Sequence, residues 1–124
     1  MSVLILMKNE EKNIAEVIQN AKKCCENIFV VDSGSTDNTV RTAQKNGAKV
    51  LYREWDNDFA AQRNFGLQEV NTKWVLYLDA DERLNDELIC SIKEAVERDE
   101  PKQYIVKRKS IAFNKEFNYG VLKP

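Results

Sequence analysis

The sequence predicts an α/β fold, a three-layer sandwich in which a mostly parallel sheet has helices on both faces. Short apolar runs alternate along the chain with segments whose apolar residues recur at helical spacing. The apolar runs are nearly continuous, which is typical of parallel strands buried on both faces. Because strands that alternate with helices form parallel sheets through right-handed crossovers, we expect helices to cover both sides of the sheet.

Five apolar runs are predicted to be strands. They are Val3–Met7, Ile28–Val31, Lys49–Tyr52, Trp74–Leu78 and Tyr104–Val106. The tail from Phe113 to Pro124 has no clear period, and we predict no element there.

Four helices are predicted between these strands. The first carries an apolar face of Ile14, Val17, Ile18 and Ala21. The second is expected to be capped by Ser35 or Thr36 and to stop at Asn46-Gly47. The third extends from Phe59 to Val70 and contains Gly66, which weakens a helix by about 1 kcal/mol relative to alanine. The fourth begins at Asn85 or Asp86 and ends before Pro101.

Composition narrows the functional classes. The chain has 124 residues, enough for one domain, with 43% hydrophobic and 31% charged residues, as in an ordinary globular protein. A net charge of -1 without a dense basic cluster gives no support for nucleic-acid binding. No stretch is long enough to span a bilayer, and the start of the chain has no signal-peptide pattern.

Cysteine and histidine usage narrows the chemistry further. Cys24 and Cys25 are adjacent and Cys90 is distant, so we expect reduced thiols and a cytoplasmic protein. The chain contains no histidine. This removes Ser-His-Asp hydrolysis, Cys-His chemistry and most zinc sites, leaving carboxylates, arginine, hydroxyls or a metal to act.

Polar residues follow four predicted strands at the edge where open α/β sheets bind ligands. After the first strand come Asn9, Glu10 and Glu11; after the second, Asp32-Ser33-Gly34-Ser35; after the third, Arg53 and Glu54; after the fourth, Asp79 and Asp81. Each taken alone is explained equally well as a loop, a helix cap or a solvated strand end. Together on one edge they favour a functional site.

The Asp79-Ala80-Asp81 segment is the strongest of these signals. Two carboxylates follow a buried strand, and no basic residue precedes Arg83 to neutralise them. Hard oxygen ligands of this kind suit Mg2+ or Mn2+, whose other positions are filled by water and substrate phosphates. A G-x-G-x-x-G fingerprint and a G-x-x-x-x-G-K-[ST] phosphate loop are both absent from the sequence. We therefore expect a nucleoside diphosphate whose charge is met by a cation at Asp81.

Four segments together resemble family-two glycosyltransferases, which are inverting enzymes of the GT-A (Rossmann-like) fold that use nucleotide-diphospho-sugars. They are residues 3–11, 30–39, 59–64 and 76–82, and they stand in the family's order. The likeness extends from residue 2 to about residue 120. It is greatest to the bacterial subgroup that adds glucose or a similar hexose to lipopolysaccharide core or other surface glycans.

The resemblance implies roles for individual residues. Asp32 corresponds to the aspartate that hydrogen-bonds the base, usually uracil, and Arg63 to an arginine that helps to hold the donor. Asp79 corresponds to the first aspartate of the D-x-D motif and Asp81 to the metal ligand on the diphosphate. The residues thereby assigned to donor binding are Asn9, Glu10, Asp32, Ser35, Arg63, Asp79 and Ala80, with Asp81 and Asp79 at the metal.

The resemblance also implies that a further part of the enzyme is needed. Family members continue beyond the equivalent of residue 124 and supply there the acceptor site and the general base. We expect residues 1–112 to form the donor-binding domain and residues 113–124 to begin the acceptor region, with a glycan or lipid-linked acceptor and peripheral membrane contact in the full enzyme. Glu54, Asp56 and Asp58 match no family base.

Two alternatives stay open at this point. A non-catalytic nucleotide-binding or interaction module would keep the fold without metal-dependent affinity. A sugar-nucleotide pyrophosphorylase would need a Gly-rich phosphate loop after the first strand, which the sequence lacks.

Apolar residues that have no cover in this chain would favour a homo-oligomer. They are Ile105, Ile111, Phe113, Phe117 and Tyr119.

Overall fold

The computed structural model describes residues 1–98 in full and, beyond them, the backbone of two further strands. The strands are β1 (Ser2–Met7), β2 (Asn27–Asp32), β3 (Lys49–Tyr52), β4 (Val75–Asp79), β5 (Tyr104–Lys109) and β6 (Glu116–Lys123). The helices are α1 (Ile14–Ala21), α2 (Thr39–Lys45), α3 (Phe59–Leu67) and α4 (Asp86–Arg98).

In the described part of the chain the strands form one sheet in the order β3-β2-β1-β4-β6-β5. The pairs β1–β2, β2–β3 and β1–β4 are parallel, whereas β6 is antiparallel to both β4 and β5. The chain thus steps outward from β1 to β3 and then returns to the other side of β1. This reversal of strand order between β1 and β4 is where ligands bind in open α/β sheets.

Helices cover both faces of the sheet, as the sequence predicts. The larger core contains the apolar residues of α1, α2 and α4 packed against alternate residues of β1, β2 and β4, including Val3, Ile5 and Leu76. The smaller core contains the other face of the same strands, with Leu4, Val31 and Val75 beneath the chain around α3. The three-layer α/β prediction is therefore confirmed.

Helix α1 shows how the sequence pattern becomes burial. Its predicted apolar face, Ile14, Val17, Ile18 and Ala21, is 0% exposed at every position. Residues at this spacing lie on one side of a helix, so the whole stripe meets the sheet. Helix α4 is built alike, with Ile89, Ile92 and Ala95 buried, and the Asn85 side chain accepts a hydrogen bond from the Leu88 amide at 2.7 Å as its N-terminal cap.

Helix α3 approaches the sheet closely through Gly66. A Cβ atom at that position would lie 2.7 Å from Leu4 Cδ1 and 2.9 Å from Val31 Cγ2. Glycine is therefore required by the short distance between the helix and the sheet rather than by a turn. Its unfavourable helix propensity is offset by this packing.

Several predicted boundaries differ from the structure. Helix α2 begins at Thr39 rather than after Ser35 or Thr36, because the Ser35 hydroxyl is bound to Asp32 and the Thr36 hydroxyl to the Asn9 side chain. Helix α3 ends at Leu67, before the predicted Val70. Strand β6 forms in the tail for which no element is predicted.

Other expectations are not tested by the described residues. The division at residue 112 stays a prediction. The side chains of Ile105, Ile111, Phe113, Phe117 and Tyr119 lie outside the described residues, so their exposure stays a prediction too. Among the described helices, none combines the length and the apolar character that a membrane crossing requires.

Candidate functional site at the carboxyl edge of the sheet

The parallel register brings the candidate residues to one edge. Met7 lies opposite Asp32, and Leu6 lies opposite Asp79, in the ladders that β1 makes with β2 and β4. Asn9 and Glu10 follow β1 after one residue, Lys8. The polar ends of three adjacent strands therefore meet at the point where the strand order reverses.

Asp32 organises the loop that follows β2. Its carboxylate accepts hydrogen bonds from the Gly34 amide at 3.2 Å, the Ser35 amide at 3.1 Å and the Ser35 hydroxyl at 2.5 Å. Gly34 adopts a φ of 117° in this loop, a backbone conformation that glycine adopts without strain. The side chain is buried, at 3% exposed. Because a carboxylate offers about four acceptor positions, roughly one remains for a further donor such as a base N–H.

Asn9 joins the end of β1 to the same loop. Its backbone has a φ of 51°, in the left-handed region that asparagine tolerates better than most residues. Its amide donates to the Ser35 hydroxyl at 2.8 Å, and its side-chain oxygen accepts from the Thr36 amide at 2.8 Å. Ser35 is thus bound on both sides, to Asn9 and to Asp32. Asn9, Asp32 and Ser35 form one connected network.

Glu10 borders a cleft of about 300 Å³ at this edge. The cleft is lined by Leu6, Met7, Lys8, Glu10, Ser33, Trp55, Phe59 and Gln62. The Glu10 side chain also accepts a hydrogen bond from Asn13 at 3.0 Å. No sequence pattern marks Trp55 and Phe59 as site residues, yet their rings form an edge-on pair with centroids 4.7 Å apart. Phe59 is 61% exposed, and an aromatic pair beside an open cleft offers a surface for a planar or apolar group.

The loop between β3 and α3, which carries Trp55, is held by side-chain hydrogen bonds. Arg53 makes two hydrogen bonds to Asp56, at 3.2 and 2.8 Å, and a third to the Gln62 side chain at 2.7 Å. Gln62 is 1% exposed and returns a bond to the Arg53 carbonyl at 3.2 Å. The hydrogen bonds from Arg53 lower the pKa of the Asp56 carboxyl. Asp58 caps α3 by accepting from the Ala61 amide at 3.0 Å.

Arg63 lies on α3 and reaches towards β4. Its guanidinium carbon is 5.6 Å from the centre of the Tyr77 ring, and the arginine is exposed. Residues two apart on a strand point to the same face, so Tyr77 and Asp79 share the face that α3 covers. Arg63 is therefore placed beside the end of β4. Its positive charge is available on the same side as Asp79.

Asp79, Ala80 and Asp81 lie in a tight turn closed by Glu82. Asp79 is exposed, Asp81 is half-buried and Ala80 is 5% exposed. The Glu82 amide donates to the Asp79 carbonyl at 3.0 Å, and the Asp79 amide donates to the Glu82 carboxylate at 3.0 Å. Arg83, the nearest basic residue in sequence, makes its ion pair with Glu16 of α1 at 3.2 Å.

The carboxylate oxygens at this turn fit a divalent cation that is shared with a substrate. In residues 1–98, no three acidic, thiol or imidazole groups come together as a ready-made metal cage. Mg2+ and Mn2+ are commonly held by one or two carboxylates, with phosphates and water completing the coordination. Asp79 and Asp81 offer such oxygens on an edge that is open to ligand.

Comparison with known proteins agrees with this architecture. A protein of Rickettsia conorii, named an uncharacterised glycosyltransferase, is 41% identical over 88 residues, covering 71% of this chain and 31% of that protein. The lipopolysaccharide core biosynthesis glycosyltransferase LpsC of Rhizobium meliloti is 34% identical over 93 residues, covering 71% of this chain and 34% of LpsC. The chain thus spans about a third of the length of these relatives.

A solved structure gives the same result for the fold. Glucosyl-3-phosphoglycerate synthase from Mycobacterium tuberculosis, in complex with Mn2+, UDP and glucosyl-3-phosphoglycerate, aligns with a TM-score of 0.58 and 26% identity. The alignment covers 65% of this chain and 33% of that one. The model of the family described as "Glycosyl transferase family 2" matches residues 2–123, nearly the whole sequence. The chain therefore belongs to glycosyltransferase family 2.

Proposed function

We propose that this chain binds a nucleoside-diphosphate sugar, a UDP-hexose, and forms the donor-binding part of a metal-assisted inverting glycosyltransferase. The observation that carries the proposal is the turn after β4. Its two aspartates stand at the reversal of strand order, and Arg83 makes its ion pair with Glu16 of α1. The M. tuberculosis synthase, crystallised with Mn2+ and UDP, supports a diphosphate and a cation at an edge of this kind.

In this proposal, different residues of the edge bind different parts of the sugar donor. Asp32 accepts a hydrogen bond from the base through its remaining acceptor position. Asn9, Glu10 and Ser35 shape the pocket around the nucleoside, and Arg63 and Ala80 border the diphosphate. Asp79 and Asp81 would hold the cation. When bound, that cation stabilises the negative charge that develops on the departing diphosphate.

The general base and the acceptor site are proposed to belong to the longer protein. Asp56 is bound twice by Arg53, and Asp58 caps α3, so both have structural roles. A glycan or lipid-linked acceptor is supported by the likeness to LpsC, which is named for lipopolysaccharide core biosynthesis. A cytoplasmic location is supported by three free cysteines, of which Cys24 has its pKa raised by burial to about 11, a sign of an unreactive thiol.

Calorimetry with UDP, with and without Mn2+, tests the proposal. We expect UDP binding that Mn2+ strengthens and that Asp81→Asn returns to its metal-free level. Asp86→Asn is the matched control, because Asp86 is an exposed aspartate five residues after Asp81 in sequence but lies in the first turn of α4. Equal responses of the two variants, or the absence of heat at millimolar UDP, would contradict the proposal.

The same titrations separate the alternatives. UDP binding that does not respond to metal would favour a non-catalytic nucleotide-binding module. A transfer assay on the isolated chain tests the remaining part of the proposal. We expect little or no turnover from this chain alone, and efficient transfer would show that the base lies within residues 1–124.

A further inference from the structure

The turn that carries Asp79 and Asp81 is attached to α1 by side chains outside the D-x-D segment. The first of these is Arg83, whose side chain is only 9% exposed. One guanidinium nitrogen donates to the Ala80 carbonyl at 2.8 Å and to the Glu82 carbonyl at 2.7 Å. The arginine thus binds the backbone of the turn itself.

The other side of the same guanidinium binds α1. Its second terminal nitrogen donates to the Asn13 carbonyl at 3.4 Å, and Nε donates to the Glu16 carboxylate at 3.2 Å. Asn13 is the N-cap residue, immediately before α1. Arg83 therefore bridges the turn after β4 and the first turn of the helix after β1.

Asn20 makes a second, independent attachment from the same helix. Its side-chain oxygen accepts from the Leu84 amide at 2.6 Å, and its side-chain nitrogen donates to the Leu84 carbonyl at 2.9 Å. Both backbone groups of Leu84 are thereby fixed by one amide side chain. With Glu82 closing the turn from inside, residues 79–84 are held at both ends.

We propose that Arg83 and Asn20 are positioning residues that hold the Asp79–Glu82 turn in the geometry required for the cation and the diphosphate. This inference rests on the proposed function for the role of the metal. Supporting groups behind metal ligands commonly change metal affinity by 10–100-fold when they are lost. Held by α1, Arg83 supplies rigidity and leaves Asp79 and Asp81 free to bind a cation.

Arginine is required here because of its shape. Four oxygens on two elements are reached by one planar guanidinium, which presents five donors in a fixed fork. A lysine keeps the charge but has a single ammonium group, which cannot bind both Ala80 and Asn13 in this arrangement. Arg83→Lys therefore separates the geometric role from the effect of charge. Arg41→Lys is the control, because Arg41 is exposed on α2.

The first measurement is amide hydrogen exchange on the full chain without ligand. The amides of Asp79 and Glu82 report the turn, and that of Leu84 reports Asn20. We expect Arg83→Lys to speed exchange at Asp79 and Glu82 by roughly tenfold or more, and Asn20→Ala to do so at Leu84, with the amides of β1 unchanged. Unchanged exchange in the turn, or faster exchange across the whole sheet, would overturn the proposal.

The second measurement is the affinity for UDP with and without Mn2+. Arg83→Lys should weaken binding in the presence of Mn2+ by about 10–100-fold and leave metal-free UDP binding within about twofold of the parent chain. Equal losses with and without metal, or no loss, would overturn the positioning role. If the parent chain itself shows no metal-dependent binding, the proposed function fails and the metal-positioning role with it, whereas the exchange data still decide whether Arg83 holds the turn.

Discussion

Replacing Gly66 with alanine is expected to destabilise the protein, although alanine is the better helix former by about 1 kcal/mol. The new Cβ would lie 2.7 Å from Leu4 Cδ1 and 2.9 Å from Val31 Cγ2, roughly 1 Å inside the ordinary carbon–carbon contact distance. Leu4 is 1% and Val31 0% exposed, so neither side chain has open space to enter. Valine is also stiff at χ1.

The size of the effect follows from these two opposed contributions. Overpacking of a buried site costs about 1–3 kcal/mol, from which the gain in helix propensity is subtracted. We expect a net loss of up to about 2 kcal/mol in the free energy of unfolding, which lowers Tm by up to roughly 8 °C for a domain of this size. Urea unfolding followed by circular dichroism measures the first quantity, and a thermal scan the second.

A double-mutant cycle with Leu4→Val supplies the control. Valine at position 4 removes the nearer methyl groups, so Gly66→Ala should be less harmful in that background, with a coupling of about 1 kcal/mol. An alanine variant that is more stable than the parent, or a cycle without coupling, would refute the steric explanation.

Three further predictions concern single groups. Burial raises the pKa of the Cys24 thiol to about 11, so at pH 8 this thiol is ionised roughly a hundredfold less than a thiol of the ordinary pKa of 9.0. Thiol labelling followed by mass spectrometry should therefore modify the exposed Cys90 before Cys24. The rate of Cys24 labelling should rise as the pH approaches 11. Asp58→Ala should lower the free energy of unfolding by about 1 kcal/mol through loss of the α3 cap, whereas Asp58→Asn, which can still cap the helix, should retain most of that stability. Equal losses in the two variants would count against the cap. Asn9→Ala should destabilise by about 1–3 kcal/mol because its φ is positive, and Asn9→Gly, which relieves that strain, should lose less in thermal unfolding.

The sequence predicts the elements well where burial sets a clear period. Strand β3 has the predicted bounds, and the predicted apolar face of α1 is the buried one. The start of α2 is wrong because Ser35 and Thr36 have hydroxyl or amide partners in a distant part of the chain. A capping rule considers only neighbouring residues in the sequence, so it cannot predict a partner that lies far away along the chain. Strand β6 is missed because no clear period in the sequence marks it.

The candidate site shows the same division. The topology rule places Asn9, Asp32 and Asp79 on one edge, and the structure has them there. The hydrogen-bonded partners of these residues cannot be predicted in the same way, because they depend on strand register and on loop shape. Arg83 reads in the sequence as a charge next to two aspartates, yet its guanidinium binds α1, 70 residues earlier at Asn13. Only the folded chain reveals such a contact.

The two tryptophans lie in contrasting surroundings, which gives the protein an internal optical reporter. Trp74 is 3% exposed in the main core, whereas the half-buried Trp55 lines the open cleft and donates to Asn57 at 3.0 Å. Emission from the first is shielded from quenchers in solution, and emission from the second follows whatever enters beside it. The Trp55→Phe variant retains only the emission of Trp74, which serves as the background to subtract. The remaining signal, from Trp55, then reports occupancy of the cleft without any attached dye.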